Sequence, residues 1–215
     1  MIIFKNYVIV KLMGRIISGK LKSLRLEIIA NAKMRPTTDR VKESLFNILQ
    51  FRIQKSVFLD IFSGTGQIGI EAASRGAKHV TMVEKNESSI KIIKKNLSKY
   101  IDSCQICEEN IEVNFSNKLK FRREDVFSLC NLDALDFLEN FKNKEKFDII
   151  FADPPFSSEF ASKYLYKLAN VVNFDGVIII ETLYNFIPPC RIYDFSLIKR
   201  YKYGRISLNL YKIEN

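Results

Sequence analysis

From Val57 onward the chain alternates short apolar runs with segments of helical period, and this alternation restricts its fold more than any other feature. The apolar runs are Val57 to Phe62, Val80 to Glu84, Leu119 to Arg123, Phe147 to Ala152 and Val177 to Glu181. Helical segments near 66–75, 87–100, 131–142 and 158–171 separate them. Such an order predicts a parallel sheet with helices on both faces, because parallel neighbours need a crossover long enough to hold a helix. Residues 191–201 and 205–212 read as a closing pair about Tyr203-Gly204, which brings the expected sheet to seven strands. Residues 102–118 are polar and irregular and read as a loop.

Ahead of this pattern, Arg15-Ile16-Ile17 and Leu24-Arg25-Leu26 flank Ser18-Gly19-Lys20, a composition that suits a basic hairpin. Residues 28–36 read as a linker, and Pro36 disfavours helix at Arg35. Thr37 or Thr38 then caps a helix whose apolar stripe is Val41, Leu45, Ile48 and Leu49. The chain of 215 residues is thus expected to hold a basic arm at 1–36 and one domain at 37–215.

Charge marks the arm again. Residues 1–55 carry 12 Lys and Arg against three acids, a net of +9, whereas the other 160 residues carry 22 against 21. Arg15, Lys20, Lys22, Arg25, Arg35 and Arg40 are the candidates for phosphate contacts, with a merely solvated basic surface as the plainer alternative. No apolar run reaches 18 residues, and the start is interrupted by Lys5 and Lys11 without a cleavage site, so a soluble, cytoplasmic chain is expected. Cys104, Cys107, Cys130 and Cys190 with a single histidine, His79, do not make a zinc set, and no metal is expected.

The segment Asp60-Ile61-Phe62-Ser63-Gly64-Thr65-Gly66-Gln67-Ile68-Gly69 falls where the first strand of the alternation should turn into its helix. Glycines there let a nucleotide approach the backbone and the free N–H groups of a helix start. The spacing Gly64-x-Gly66-x-x-Gly69 formally matches a dinucleotide fingerprint. Asp60 argues against an NAD(P) oxidoreductase, because a carboxylate would repel pyrophosphate but welcome the ammonium and sulfonium of S-adenosylmethionine. Glu84, at the end of the next strand, suits ribose hydroxyls, and Asp125, after the third expected strand, suits an adenine amino group. The plain alternatives are helix caps for the two aspartates and a solvated strand end for Glu84.

Asp153-Pro154-Pro155-Phe156 closes the fourth apolar run. Prolines donate no N–H and stiffen the backbone, so the Asp153 carboxylate and the Pro154 carbonyl can converge as acceptors. An exocyclic amine, whose lone pair is delocalised into its ring, is activated by such a pair, and Phe156 offers a face for the base. The alternative is a rigid turn with no chemistry.

Four stretches together resemble the RsmD family: Arg15 to Lys20, Arg35 to Asn47, Leu59 to Gly66 and the tetrapeptide. The resemblance implies a Rossmann-like class I fold and S-adenosylmethionine as cofactor. It also implies transfer to guanine N2 of 16S ribosomal RNA by a monomer acting within an assembling small subunit. Amino-methyltransferases of other RNA or of DNA, acting on adenine N6 or cytosine N4, share the tetrapeptide. A non-catalytic RNA-binding module is the reading from another class. Two departures from the family pattern, the 102–118 loop and Glu181-Thr182-Leu183-Tyr184, are expected to stay clear of the chemistry. The family pattern begins near Arg15, so either Met13 opens the native chain or residues 1–12 add a strand.

Overall fold

The computed structural model describes residues 2–4, 7–30, 38–105, 113–116, 126–142, 146–155 and 158–214. Three strands, β1 (Ile2–Phe4), β2 (Tyr7–Arg15) and β3 (Arg25–Ala30), form a small antiparallel sheet and precede α1 (Asp39–Ile48). The main body follows as β4 (Val57–Ile61), α2 (Gln67–Ser74), β5 (His79–Glu84), α3 (Glu87–Gln105), β6 (Val113–Ser116) and β7 (Phe127–Asn131). It continues as α4 (Ala134–Asn140), β8 (Phe147–Ala152), α5 (Ser158–Val171), β9 (Val172–Leu183), β10 (Arg191–Ile192), β11 (Phe195–Tyr203) and β12 (Ile206–Ile213).

The large sheet runs β10-β11-β12-β9-β8-β4-β5-β7-β6, parallel from β9 to β6 and antiparallel from β9 to β10. It has nine strands rather than seven, the additions being the two short edge strands β6 and β10. The run expected at 119–123 lies outside the described residues, and the strand that pairs with β5 is Phe127–Asn131. From β4 the chain builds outward through β5, then returns to place β8 on the other side of β4. The gap between β4 and β8 is therefore the topological switch point, where open α/β sheets bind ligands.

Period-2 alternation sends successive strand residues to opposite faces. Phe58, Met82, Phe151 and Ile179 pack with α1, α2 and α3 residues such as Leu45, Ile70 and Ile93. Leu59, Val83, Ala152 and Ile180 pack with α4 and α5 residues such as Phe137, Leu165 and Leu168. Thr38 caps α1 as expected, its Oγ1 accepting from Val41 N. Among the described residues no helix is long and apolar enough to cross a membrane.

The amino-terminal hairpin is stitched into this body. Residues 7–12 belong to β2, and β3 continues to Ala30, so residues 28–30 are strand where a linker was expected, and the rest of the expected linker, 31–36, lies outside the described residues. Ile28 is buried and fixes that extension. The turn between the strands docks on α2: Ile17 N and Ser18 N donate to the Glu71 carboxylate at 2.7 and 2.9 Å. Lys20 N donates to Ser74 O at 2.8 Å. Gly19, at φ +90°, leaves room for this contact, since a Cβ there would sit 1.9 Å from Ser74 O.

Buried polar groups complete the join. Lys42, fully buried, donates to the Arg15 carbonyl and lies 3.7 Å from Glu71. Burial lowers the Lys42 pKa, against the pull of Glu71 and Asp39. Asn96 accepts from Glu27 N at 2.8 Å and donates to Glu27 O and Thr65 O, so one side chain joins the hairpin to the glycine loop.

Candidate active site

Four adjacent strands each present an acid near their carboxyl ends, two residues beyond a core residue of the same face. The pairs are Ile179 and Glu181 on β9, Phe151 and Asp153 after β8, Phe58 and Asp60 on β4, and Met82 and Glu84 on β5. Asp60 is level with Met82 and Phe151, so Glu84 and Asp153 stand one pleat further out on either side of it. Ala152 pairs with Ile180, and continuing that register by one residue sets Asp153 opposite Glu181.

Asp60 is 1% exposed, and its Oδ2 accepts from Gly69 N at 2.9 Å. That bond draws the start of α2 onto the sheet, where a Cβ on Gly69 would come within 2.8 Å of Met82 Cγ. Burial pushes the Asp60 carboxyl up to about 7, against the Gly69 N–H and helped by the charges of Asp153 and Glu84. Glu84 accepts from Gly64 N at 2.9 Å and from Asn86 N at 2.8 Å. Burial raises its pKa too, with those N–H groups opposing.

Gly64 and Gly66 adopt φ of +54° and +78°, in the left-handed region that strains other residues. A Cβ on Gly64 would meet nothing within 4 Å, so this backbone faces open space while Glu84 holds it from behind. Bare backbone beside two carboxyls fits a nucleoside that carries positive charge. It does not suit a pyrophosphate.

Asp153 is half-buried, Pro154 buried and Pro155 exposed. Desolvation by burial raises the Asp153 pKa. Phe156 and Asp125 lie outside the described residues. In sequence Asp125 precedes β7, and the positions after that strand are occupied by Leu132 and Asp133, with Asn131 paired to Glu84. Asp133 caps α4 through Leu135 N at 2.9 Å and pairs with Lys85 at 3.1 Å.

Glu181 was expected to stay clear of the chemistry, and the structure places it in the acid row. It is 5% exposed, and its Oε2 has no hydrogen-bond partner among the described residues. Burial raises its pKa, and the neighbouring Asp153 charge adds to the rise. The signal was present in the sequence: Ile178-Ile179-Ile180-Glu181 ends an apolar run in an acid, as Leu59-Asp60, Val83-Glu84 and Ala152-Asp153 do.

The basic candidates are dispersed. Arg35 lies outside the described residues, Arg40 is exposed on the first turn of α1, and Arg15, which pairs with Arg25 in the hairpin, is bound to Asp39 at 3.1 Å. Lys20 and Lys22 are exposed on the turn docked at the carboxyl end of α2. That helix, from Gln67 to Ser74, is about 12 Å long at ~1.5 Å per residue, so this turn is a helix length from the glycine loop.

Residues 14–129 and 99–212 match the family described as Conserved hypothetical protein 95. Ribosomal RNA small subunit methyltransferase D of Haemophilus influenzae is 34% identical over 200 residues, which are 92% of this chain and 93% of that protein. A solved structure of a provisionally assigned methylase, also from Haemophilus influenzae, is 32% identical with a TM-score of 0.69, covering 94% of this chain and 99% of that one. A provisionally assigned methyltransferase complexed with SAH is 14% identical with a TM-score of 0.65, covering 94% of this chain and 56% of that one, which is a likeness of fold.

Proposed function

The chain belongs to the Conserved hypothetical protein 95 family, that of ribosomal RNA small subunit methyltransferase D, and from this premise we propose that it methylates guanine N2 in small-subunit ribosomal RNA. The observation that carries the amine chemistry is the placement of Asp153 and Pro154 at the carboxyl end of β8, across the switch point from Asp60. The choice of guanine over other bases rests on the family.

S-adenosylmethionine supplies an electrophilic methyl group on a sulfonium. Asp60 and Glu84 would hold its positive charge and its ribose, and Gly64 and Gly66 would let the backbone close on it. Asp153 and the Pro154 carbonyl accept the two N–H bonds of the base, which turns the nitrogen lone pair toward the methyl carbon. On transfer of the methyl group, the Asp153 carboxylate would take the surplus proton from the nitrogen and pass it to solvent. Carboxylates aimed where charge develops account for the larger part of such catalysis. The base must leave its stack to reach Asp153, and Phe156 is the face that receives it. The substrate is a loop or single strand of an assembling small subunit, and the acting species is a monomer.

Mass mapping of small-subunit ribosomal RNA from cells with and without the gene tests this reading. One N2-methylguanosine should disappear and return on complementation. An unchanged methylation pattern would overturn the reading, and loss of a methyl from adenine N6 or cytosine N4 would transfer the same chemistry to another base.

A further inference from the structure

We propose that the carboxyl-terminal hairpin of β11 and β12, together with Tyr184, is a second RNA-contact surface that holds the strand flanking the target base. This inference rests on the ribosomal RNA reading of the active site. Between Phe195 and Ile213 the sequence has no acid, and it carries Lys199, Arg200, Lys202, Arg205 and Lys212. The near-neutral sum over residues 56–215 conceals this concentration, because the acids lie elsewhere in that span.

Topology brings the hairpin to the catalytic edge. Leu208 pairs with Glu181 and Ile206 with Leu183, so the turn at Tyr203-Gly204-Arg205 projects past the carboxyl end of β9, at the same end of the sheet as Asp153 and two strands across from it. Tyr201 pairs with Leu208, which aligns Asp153, Glu181, Leu208 and Tyr201 across four adjacent strands. Three strand spacings of ~4.8 Å separate Asp153 from Tyr201 by about 14 Å.

Cations meet rings on both faces of this sheet edge, Lys199 with Tyr201 on the face of Leu208 and Glu181, and Arg200 and Lys202 with Tyr184 on the other. Lys202 Nζ lies 4.0 Å and the Arg200 guanidinium carbon 5.3 Å from the Tyr184 ring centre, and Lys199 Nζ lies 5.0 Å from that of Tyr201. Arg200 also fixes the loop after β9, donating to Tyr184 O at 2.9 Å and Phe186 O at 2.8 Å. Tyr184 is 40% exposed, while Lys199, Lys202 and Arg205 are exposed without a carboxylate partner among the described residues. Rings beside lysines and arginines suit a single strand, which offers bases to stack and phosphates to neutralise.

Electrostatics requires a surface of this kind. The acid row that receives an amine repels phosphate, so the strand must be held outside the row by cations on its flank. Lys20 and Lys22 stand a helix length away, and Lys85 is already paired with Asp133. The carboxyl-terminal hairpin places its cations at the required edge.

The test is a salt titration of binding to an in vitro transcript of small-subunit ribosomal RNA, comparing the full chain with a triple variant, Lys199→Gln, Lys202→Gln and Arg205→Gln. Three lost phosphate contacts should flatten the plot of log affinity against log salt by about 2. Affinity for S-adenosylmethionine should not change, which also shows that the variant folds. Tyr184→Ala should weaken RNA binding about tenfold with little change of slope. Equal slopes for the triple variant and the unaltered chain would overturn the inference. Methyl transfer by the unaltered chain to unmethylated small subunits, run in parallel, separates failure of the hairpin from failure of the enzymatic reading.

Discussion

Replacing Asp60 by asparagine should stabilise the free protein at alkaline pH while weakening cofactor binding. An aspartate in the unfolded chain ionises near pH ~3.9, whereas the folded chain holds the Asp60 proton up to about 7. An acid whose folded pKa is raised makes stability fall as pH climbs from the unfolded value to the folded one. Below pH ~4 the carboxyl is neutral in both states and costs nothing. A difference of about three pK units at ~1.4 kcal/mol each sets an upper limit of roughly 4 kcal/mol at pH 8. Relaxation and water reduce that figure, since buried sites respond with an effective dielectric near ~20. Asparagine keeps an oxygen for the 2.9 Å bond from Gly69 N and carries no charge. Urea unfolding without ligand should therefore show the variant gaining stability over wild type at pH 8 but not at pH 4. Calorimetry at pH 8 should show cofactor affinity lowered about ten- to a hundredfold, the loss of a charge-assisted contact worth ~1.5–3 kcal/mol. A variant with no stability gain at pH 8 would refute the burial argument, and unchanged affinity would refute the role given to the carboxylate.

Glu84→Ala should weaken cofactor binding by about 1.5–3 kcal/mol in calorimetry, because it removes a charged acceptor and frees Gly64 N. Asp153→Ala should lower turnover about a hundredfold or more while cofactor affinity holds, as single-turnover assays beside calorimetry would register. Wild-type turnover should rise with pH through neutrality, because the raised pKa of Asp153 delays formation of the accepting carboxylate. Glu71→Ala should cost roughly 3–5 kcal/mol in urea unfolding, since it strands buried Lys42 and leaves Ile17 N and Ser18 N without their acceptor.

The parallel sheet was legible because β4, β5, β8 and the outer half of β9 are apolar runs, and burial on both faces demands such runs. The strand that pairs with β5, Phe127-Ser128-Leu129-Cys130-Asn131, was not legible because it buries a serine and ends in a polar residue, whereas Leu119 and Phe121 alternate with cations as a strand would; that segment lies outside the described residues. Asp60, Glu84 and Asp153 were readable from their places beside glycines, strand ends and prolines. Glu181 reads in sequence as clear of the chemistry because no glycine or proline accompanies the acid that ends its apolar run, and only the register shows which residue it opposes. Charge counted over two blocks of sequence found the amino-terminal cations and missed the carboxyl-terminal ones, since a sum over residues ignores where the strands fold back. Lys42 and Glu71 read in sequence as ordinary helix-surface charges, and their burial follows from the hairpin that covers them.

The docking of that hairpin also bears on the order in which the chain takes shape during synthesis. Ile17, Ser18 and Glu27 find their partners Glu71 and Asn96 only 53 to 69 residues later. At about 5–20 residues per second, a ribosome delivers those partners roughly 3 to 14 s after the hairpin residues themselves. During that interval Ile16 and Leu26, buried in the finished protein, lack α2 and α3 to pack against. The hairpin can therefore close on α2 and α3 only after the first β-α-β unit and the helix that follows it have been made.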